Sequence, residues 1–189
     1  MTNGDQIRYL ADKIIQELWS TQNTAALAGL RVAKNINDPQ AIKVWPVVFR
    51  YLPKKLLSQN GKPTYAEIAI FETLKAFSTY EQGPNKPLLH NQTAPTLIKA
   101  LNKLRSSDPE HKDALDRRVQ NLLSTSQTES FLHQLQSLIS IMKARLNNQT
   151  IDFSQLAKDL YLFQIRKGAY IGSQQIILQW GQDYYTNNY

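Results

Sequence analysis

The sequence predicts an all-α protein of about eight or nine helices in two small packed helical bundles. Three observations predict it. Apolar residues recur at three- and four-residue spacing in segment after segment, which gathers them on one helical face. Helix-start signals precede these segments: Thr, Ser or Asp followed three residues on by Glu or Gln, or Asp followed directly by Pro. Only seven glycines occur, and no segment alternates with period two between turn residues, so strands have no support. With 42% hydrophobic and 20% charged residues in a chain of 189, there is enough apolar material for one domain, or for two small ones sharing a core.

In the first segment Ile7, Leu10, Ile14 and Leu18, with Ala11 and Ile15 beside them, form the apolar face of an amphipathic helix. Asn23 to Asn35 reads as a second helix. Asp38-Pro39 places an N-cap side chain before a proline whose missing N–H costs nothing in a first turn, so a third helix is expected there. Pro46 breaks or restarts that stretch, because its ring clashes with the preceding turn. Pro53 to Pro63, with Asn60-Gly61, is a connection. Thr64 and Glu67 have capping-box spacing before a helix carrying Ile70, Phe71, Leu74 and Phe77, which should end near Gly83. Gln82 to Thr93 holds Gly83, Pro84 and Pro87 without periodicity, and marks the boundary between bundles of residues 1–88 and 89–189.

Beyond that boundary, Pro95 to Arg105 turns Leu97, Ile98, Leu101 and Leu104 inward. Asp108-Pro109 opens a helix with Leu115, Val119 and Leu122 on its apolar face. Ser126 with Glu129, and Asp152 with Gln155, repeat the capping-box spacing before Phe131 to Leu146 and Phe153 to Phe163. A basic connection, Arg166-Lys167-Gly168 to Gly172, precedes a last helix with Ile176, Ile177, Trp180 and Tyr184 inward.

Most catalytic classes find no footing. Without cysteine there is no disulfide scaffold, thiol nucleophile or cysteine-held zinc or iron–sulfur site, a composition that agrees with a reducing cytoplasm. Met1 to Ser20 carries Asp5, Asp12 and Glu17, and so lacks the apolar segment of a secretory signal. No run approaches the roughly 18 to 20 apolar residues of a membrane span. His90, His111 and His133 stand apart with no paired-histidine motif, so no metal site is expected and each ring is expected in solvent. No Gly-rich phosphate loop, GxSxG elbow or Ser/His/Asp arrangement is visible, so no catalytic residue and no cofactor is assigned. Asp113 and Arg117 have the spacing of a modest surface ion pair.

The charge distribution is the informative feature. Lys+Arg number 22 and Asp+Glu 15, a net +7 that favours a polyanionic partner. Between Asp38 and Glu67 there is no acid, while Lys43, Arg50, Lys54, Lys55 and Lys62 supply five positive charges; between Glu81 and Asp108, Lys86, Lys99, Lys103 and Arg105 supply four. Lys99 and Lys103 stand four apart on one helix, where like charges repel by about 0.2 to 0.5 kcal/mol unless an anion bridges them. Of the pair Arg117-Arg118, Arg118 is the better candidate. Aromatic residues fall on core faces and do not interleave with the basic ones, which favours backbone contact over base reading. The aromatic tail, Trp180, Tyr184, Tyr185 and Tyr189, is either core or a docking edge for another subunit.

The order of several segments resembles a known family. Leu30-Arg31-Val32, Trp45-Pro46, the helix Ala66 to Tyr80, Thr96 to Leu101, Asp116 to Leu123, Asp152 to Tyr161 and Gln179 to Tyr185 look like CasB, the small subunit of the type I-E CRISPR surveillance complex Cascade. The most specific pieces are Leu156-Ala157-Lys158-Asp159-Leu160-Tyr161 and Trp180-Gly181-Gln182-Asp183-Tyr184-Tyr185, and the likeness spans nearly the whole chain. It implies an all-helical, two-bundle, non-catalytic cytoplasmic protein. Two copies would lie along the complex between the guide-bearing backbone subunits and the large subunit. The resemblance also implies basic residues facing the guide RNA–target DNA heteroduplex and the displaced DNA strand, helping to hold the R-loop. Arg31, Lys99, Arg118 and Lys158 match basic positions of the family's motifs; Lys62 and Lys103 join them on local charge. Along Phe131 to Leu146 the family carries surface arginine where this chain has Gln134, Gln136 and Ser137, so less is expected of that face.

Two other readings stand beside this one. A helical adaptor would bind protein only, its surplus charge serving solubility or an acidic partner. A helix-turn-helix regulator would need a tight turn before a recognition helix, whereas the basic residues here are spread over several elements.

Overall fold

Helix α1, Asn3–Ser20, starts at a capping box: the Thr2 hydroxyl accepts from the Asp5 N–H, and the Asp5 carboxylate accepts from the Thr2 N–H. Its face of Ile7, Ala11, Ile14, Ile15 and Leu18 is wholly buried. The structure is a computed structural model and describes residues 2–82, 88, 90–146 and 148–186. Nine α-helices lie among the described residues: α2 is Thr24–Val32, α3 Trp45–Tyr51, α4 Tyr65–Tyr80, α5 Leu97–Ser107, α6 Lys112–Leu123, α7 Thr128–Arg145, α8 Phe153–Phe163 and α9 Gly172–Tyr185. Short 3₁₀ turns occupy Pro39–Lys43, Lys54–Leu56 and Pro109–His111. None of the described helices is long and apolar enough to cross a membrane.

Proline and capping signals act where they stand. Asp38 caps the 3₁₀ turn, accepting from Gln40 N–H at 2.8 Å, and Pro46 sits in the first turn of α3. The Thr64–Glu67 box forms with both bonds, and the other Glu67 oxygen takes the Ser58 N–H, which ties the connection to α4. At α8 only half a box forms. Asp152 accepts from Gln155 N–H at 3.0 Å, while the Gln155 amide turns forward to Asp159 at 2.7 Å. The Ser126–Glu129 box does not form. Helix α7 begins at Thr128 with Gln127 at the cap, so Glu129 stands one position too early to reach back.

Helix α8 lies at the centre, packed against α1, α4 and α9, while α4 also meets α2 and α7. Two aromatic clusters meet on it. Phe153, at its first residue, packs with Phe77 at 5.7 Å and Tyr80 at 5.6 Å between ring centroids. Phe163, at its last, stacks on Phe131 at 4.0 Å, with Trp180 at 5.3 Å from Phe131. Elements on either side of residue 88 thus share one core. Gly83, expected near the end of α4, lies outside the described residues, as do Lys86 and Tyr189.

Two expectations need correction. Strands were not expected, yet β1, Arg166–Lys167, pairs antiparallel with β2, Tyr170–Ile171. Gly168, at φ +58°, makes the turn, and the Gly172 N–H closes the hairpin on Ile165 O at 2.9 Å. His90 is not in solvent. Its side chain is buried, its Nδ1 accepts the Phe153 N–H at 3.2 Å, and its Nε2 donates to Asp12 at 3.0 Å, fastening the central connection to α1 and α8.

Candidate nucleic-acid interface

Helix α5 buries Leu97, Ile98, Leu101 and Leu104, which turns Lys99 and Lys103 outward one turn apart. The Lys99 ammonium stands 4.0 Å from Asp183, a marginal and exposed ion pair. Lys103 donates to the neutral Gln149 amide at 2.8 Å and has no carboxylate partner among the described residues. Arg105 is spent: its guanidinium holds both Asp116 oxygens, at 2.7 and 3.2 Å, and lies against the Tyr184 and Tyr185 rings. Burial works against ionisation of Asp116, but Arg105 and the donating Tyr184 hydroxyl together hold its carboxyl below the usual value.

Arg118, on α6, is exposed and has no partner among the described residues. It stands on a ridge between two concavities. One, of about 140 Å³, is walled by Leu104, Ile141, His111, Asp108 and Arg145. The other, of about 330 Å³, offers uncharged hydrogen-bonding groups from Asn121, Ser124, Gln134 and Ser137. In the first, Arg145 and His111 share Asp108, at 2.6 and 2.8 Å, and the His111 ring and Arg145 keep that carboxyl below its ordinary value. Arg117 is also exposed, and no ion pair joins it to Asp113, contrary to expectation, since both side chains face solvent.

The other candidates lie on different elements. Lys62 is exposed in the connection before α4, where its N–H caps Asn60 across Gly61, at φ +79°. Lys54 and Lys55 are exposed as well, whereas Arg50, from the same acid-free stretch, pairs with Glu17 of α1 at 2.8 Å. Arg31 is half-buried on α2 and donates to the Ser78 carbonyl of α4 at 3.3 Å; burial lowers its pKa. Lys158, on α8, pairs with Asp5 of α1 at 2.7 Å, and that bond is the main reason the Asp5 carboxyl sits far below its usual range. Lys99 and Lys103 thus lie on α5 and Arg118 on the contacting helix α6, while Arg31 and Lys158 are engaged with intramolecular partners.

Arg145 was missed. It closes α7, where a basic residue complements the helix dipole, and in sequence that position reads as a cap. Phe71, Phe77, Phe131, Phe153 and Phe163 are all buried, as expected of core faces, and Trp180 and Tyr184 are core too. Among the described residues, no three His, Asp or Glu side chains converge as metal ligands.

Comparison with known proteins adds a family and a fold. A family profile described as CRISPR-associated protein Cse2 matches residues 26–185. The crystal structure of CasB from Thermobifida fusca superposes with a TM-score of 0.65 at 19% identity, covering 97% of each chain. A chain of a CRISPR RNA-guided surveillance complex gives 0.70 at 19% identity, over 95% of this chain and 93% of that one. No match is found among curated protein sequences.

Proposed function

The chain belongs to the CRISPR-associated protein Cse2 family, and from that premise we propose that it is the non-catalytic small subunit of a type I-E Cascade complex. In this reading it contacts the sugar–phosphate backbone of the guide RNA–target DNA heteroduplex and of the displaced strand. Its partners are the backbone and large subunits and a second copy of itself, in the cytoplasm. The observation that carries the reading is a set of exposed cations on the contacting helices α5 and α6: among the described residues Lys103 and Arg118 have no carboxylate partner and Lys99 only a 4.0 Å contact. The fold likeness to a chain of an RNA-guided surveillance complex supports it.

Opening DNA against a guide is a nearly balanced exchange, so a few phosphate contacts tip it. Lys99, Lys103 and Arg118 are the first contacts, and Lys62 is a further one on a separate element. Arg31 and Lys158 would reach phosphate only by releasing Ser78 and Asp5. Four contacts correspond to a log–log salt slope of about −3.6 on duplex, less on single strands. Reversing Lys99 and Lys103 to Glu should shorten R-loop lifetime and leave the melting of the isolated protein nearly unchanged; an unaltered lifetime rejects the assignment.

The exposed apolar side chains of Val32, Ile42 and Leu178 favour protein contacts, which a protein-only adaptor would also use. A nucleic-acid shift assay across salt separates the two readings, since the adaptor gives no salt-dependent shift.

A further inference from the structure

Tyr185 stands apart from the other aromatic residues of the last helix: Trp180 and Tyr184 are buried, whereas Tyr185 is 41% exposed. We propose that its ring is a stacking platform for one unpaired nucleobase of a strand held on α5. The proposal rests on the nucleic-acid reading and adds a contact to a base, where that reading has contacts to phosphate alone.

The end of α9 is fixed along α5. The Asn102 amide donates to the carbonyl oxygens of Tyr184, Thr186 and Asp183, at 2.7, 3.1 and 3.3 Å, which clamps the backbone on both sides of Tyr185. Asp183 meets Lys99 of α5 at 4.0 Å, and the Arg105 guanidinium, six residues further along the same helix, lies 5.5 Å from the Tyr185 ring centroid. The Tyr184 ring stands nearly perpendicular to that of Tyr185 at 4.8 Å. The ring is held before any ligand arrives, which lowers the ordering cost of binding. Of the exposed aromatic residues Tyr9, Phe49, Tyr65 and Tyr185, the first three lie on α1, α3 and α4; Tyr185 is seated against the helix that carries Lys99 and Lys103.

The surroundings of the ring favour an uncharged, flat group over a phosphate. Arg105 is neutralised by Asp116, and Lys99 has Asp183 opposite it, so each cation beside the ring faces an acid. A phosphate gains little there. A neutral, planar base meets no opposing charge and gains a π contact, one that any base can make because each has a π face. Lys103, one turn from Lys99 and without a carboxylate partner among the described residues, is left for the phosphates of the same strand. The core-packing role belongs to Tyr184, whose ring is buried and whose hydroxyl donates to Asp116 at 2.8 Å.

The test is binding of the purified chain to a fluorescent single-stranded DNA and to an abasic strand of the same length, read by anisotropy across salt. Tyr185→Ala should bind the base-bearing strand about fivefold or more weakly than the native chain does, and the abasic strand equally well. Tyr185→Phe keeps a π face and should bind both strands as the native chain does. Duplex binding should be unchanged in either variant, since paired bases are already stacked, and melting curves report the fold of each. Three results would each overturn the proposal: native affinity of Tyr185→Ala for the base-bearing strand, an equal loss on the abasic strand, or the same loss in Tyr185→Phe. If the native chain binds no strand in a salt-dependent way, the nucleic-acid reading fails and takes the stacking contact with it; if it does and Tyr185→Ala matches it, the stacking contact alone fails. Native strand affinity in Tyr185→Ala with loss of co-purifying subunits would assign the ring to a protein partner instead.

Discussion

Asp159 accepts a hydrogen bond from the indole N–H of Trp180 at 2.8 Å, and this pair ties α8 to α9 inside the core. Burial raises the Asp159 pKa from 3.8 to about 6, despite the Trp180 and Gln155 bonds that favour the charged form. The folded state therefore holds this proton more tightly than the unfolded chain does. Its contribution to stability is present below about pH 4 and is lost as pH rises through about 6. The loss is on the order of 3 kcal/mol. Denaturant melts of Asp159→Asn and native protein from pH 4 to 7 should show this slope in the native chain relative to the variant; parallel curves would refute the assignment.

Arg118 should act through charge alone. Arg118→Ala is expected to reduce the salt slope of duplex binding by about 0.9 and to leave the thermal midpoint within error, because its side chain contacts solvent. Lys158→Gln should do the reverse, loosening the α1–α8 seam while barely changing the slope. Shift assays at four salt concentrations decide the slopes, and thermal melts of the two variants decide the stabilities.

Gly172 admits no side chain. A Cβ there would stand 1.8 Å from the Leu162 carbonyl oxygen, so Gly172→Ala must displace the backbone where the hairpin meets α9. A loss of about 2 to 3 kcal/mol is expected in chemical denaturation. Gly168→Ala, in open space, should cost about 1 kcal/mol for its left-handed turn.

His90 is a structural residue. Replacing it by Ala removes the acceptor of the Phe153 N–H and leaves Asp12 without its donor, beside a new cavity. The expected cost is about 2 to 4 kcal/mol. A melting curve coincident with that of the native chain would remove His90 from the core.

What the sequence disclosed follows the reach of each interaction. Thr64 and Glu67 are three residues apart and settle their own geometry, so the box was legible. The start of α7 was not, because where the chain enters that helix decides whether Glu129 can reach back. His90 looked like a loop residue, since its partners Asp12 and Phe153 are distant in sequence. Lys158 was chosen by resemblance, and its ion pair was illegible for the same reason: Asp5 is 153 positions away. The hairpin was invisible because two-residue strands carry no alternation. Lys99, Lys103 and Arg118 were readable as outward cations because the apolar faces of α5 and α6 fix the opposite side.

Helix α8 is a rod of about 16 Å, and each tip carries a phenyl ring lodged in a different aromatic nest. Swivelling one half of the molecule about the segment near residue 88 would have to uproot one of those rings. The chain therefore behaves as a splint rather than a jaw: whatever grips one flank holds the opposite flank at a set distance and angle.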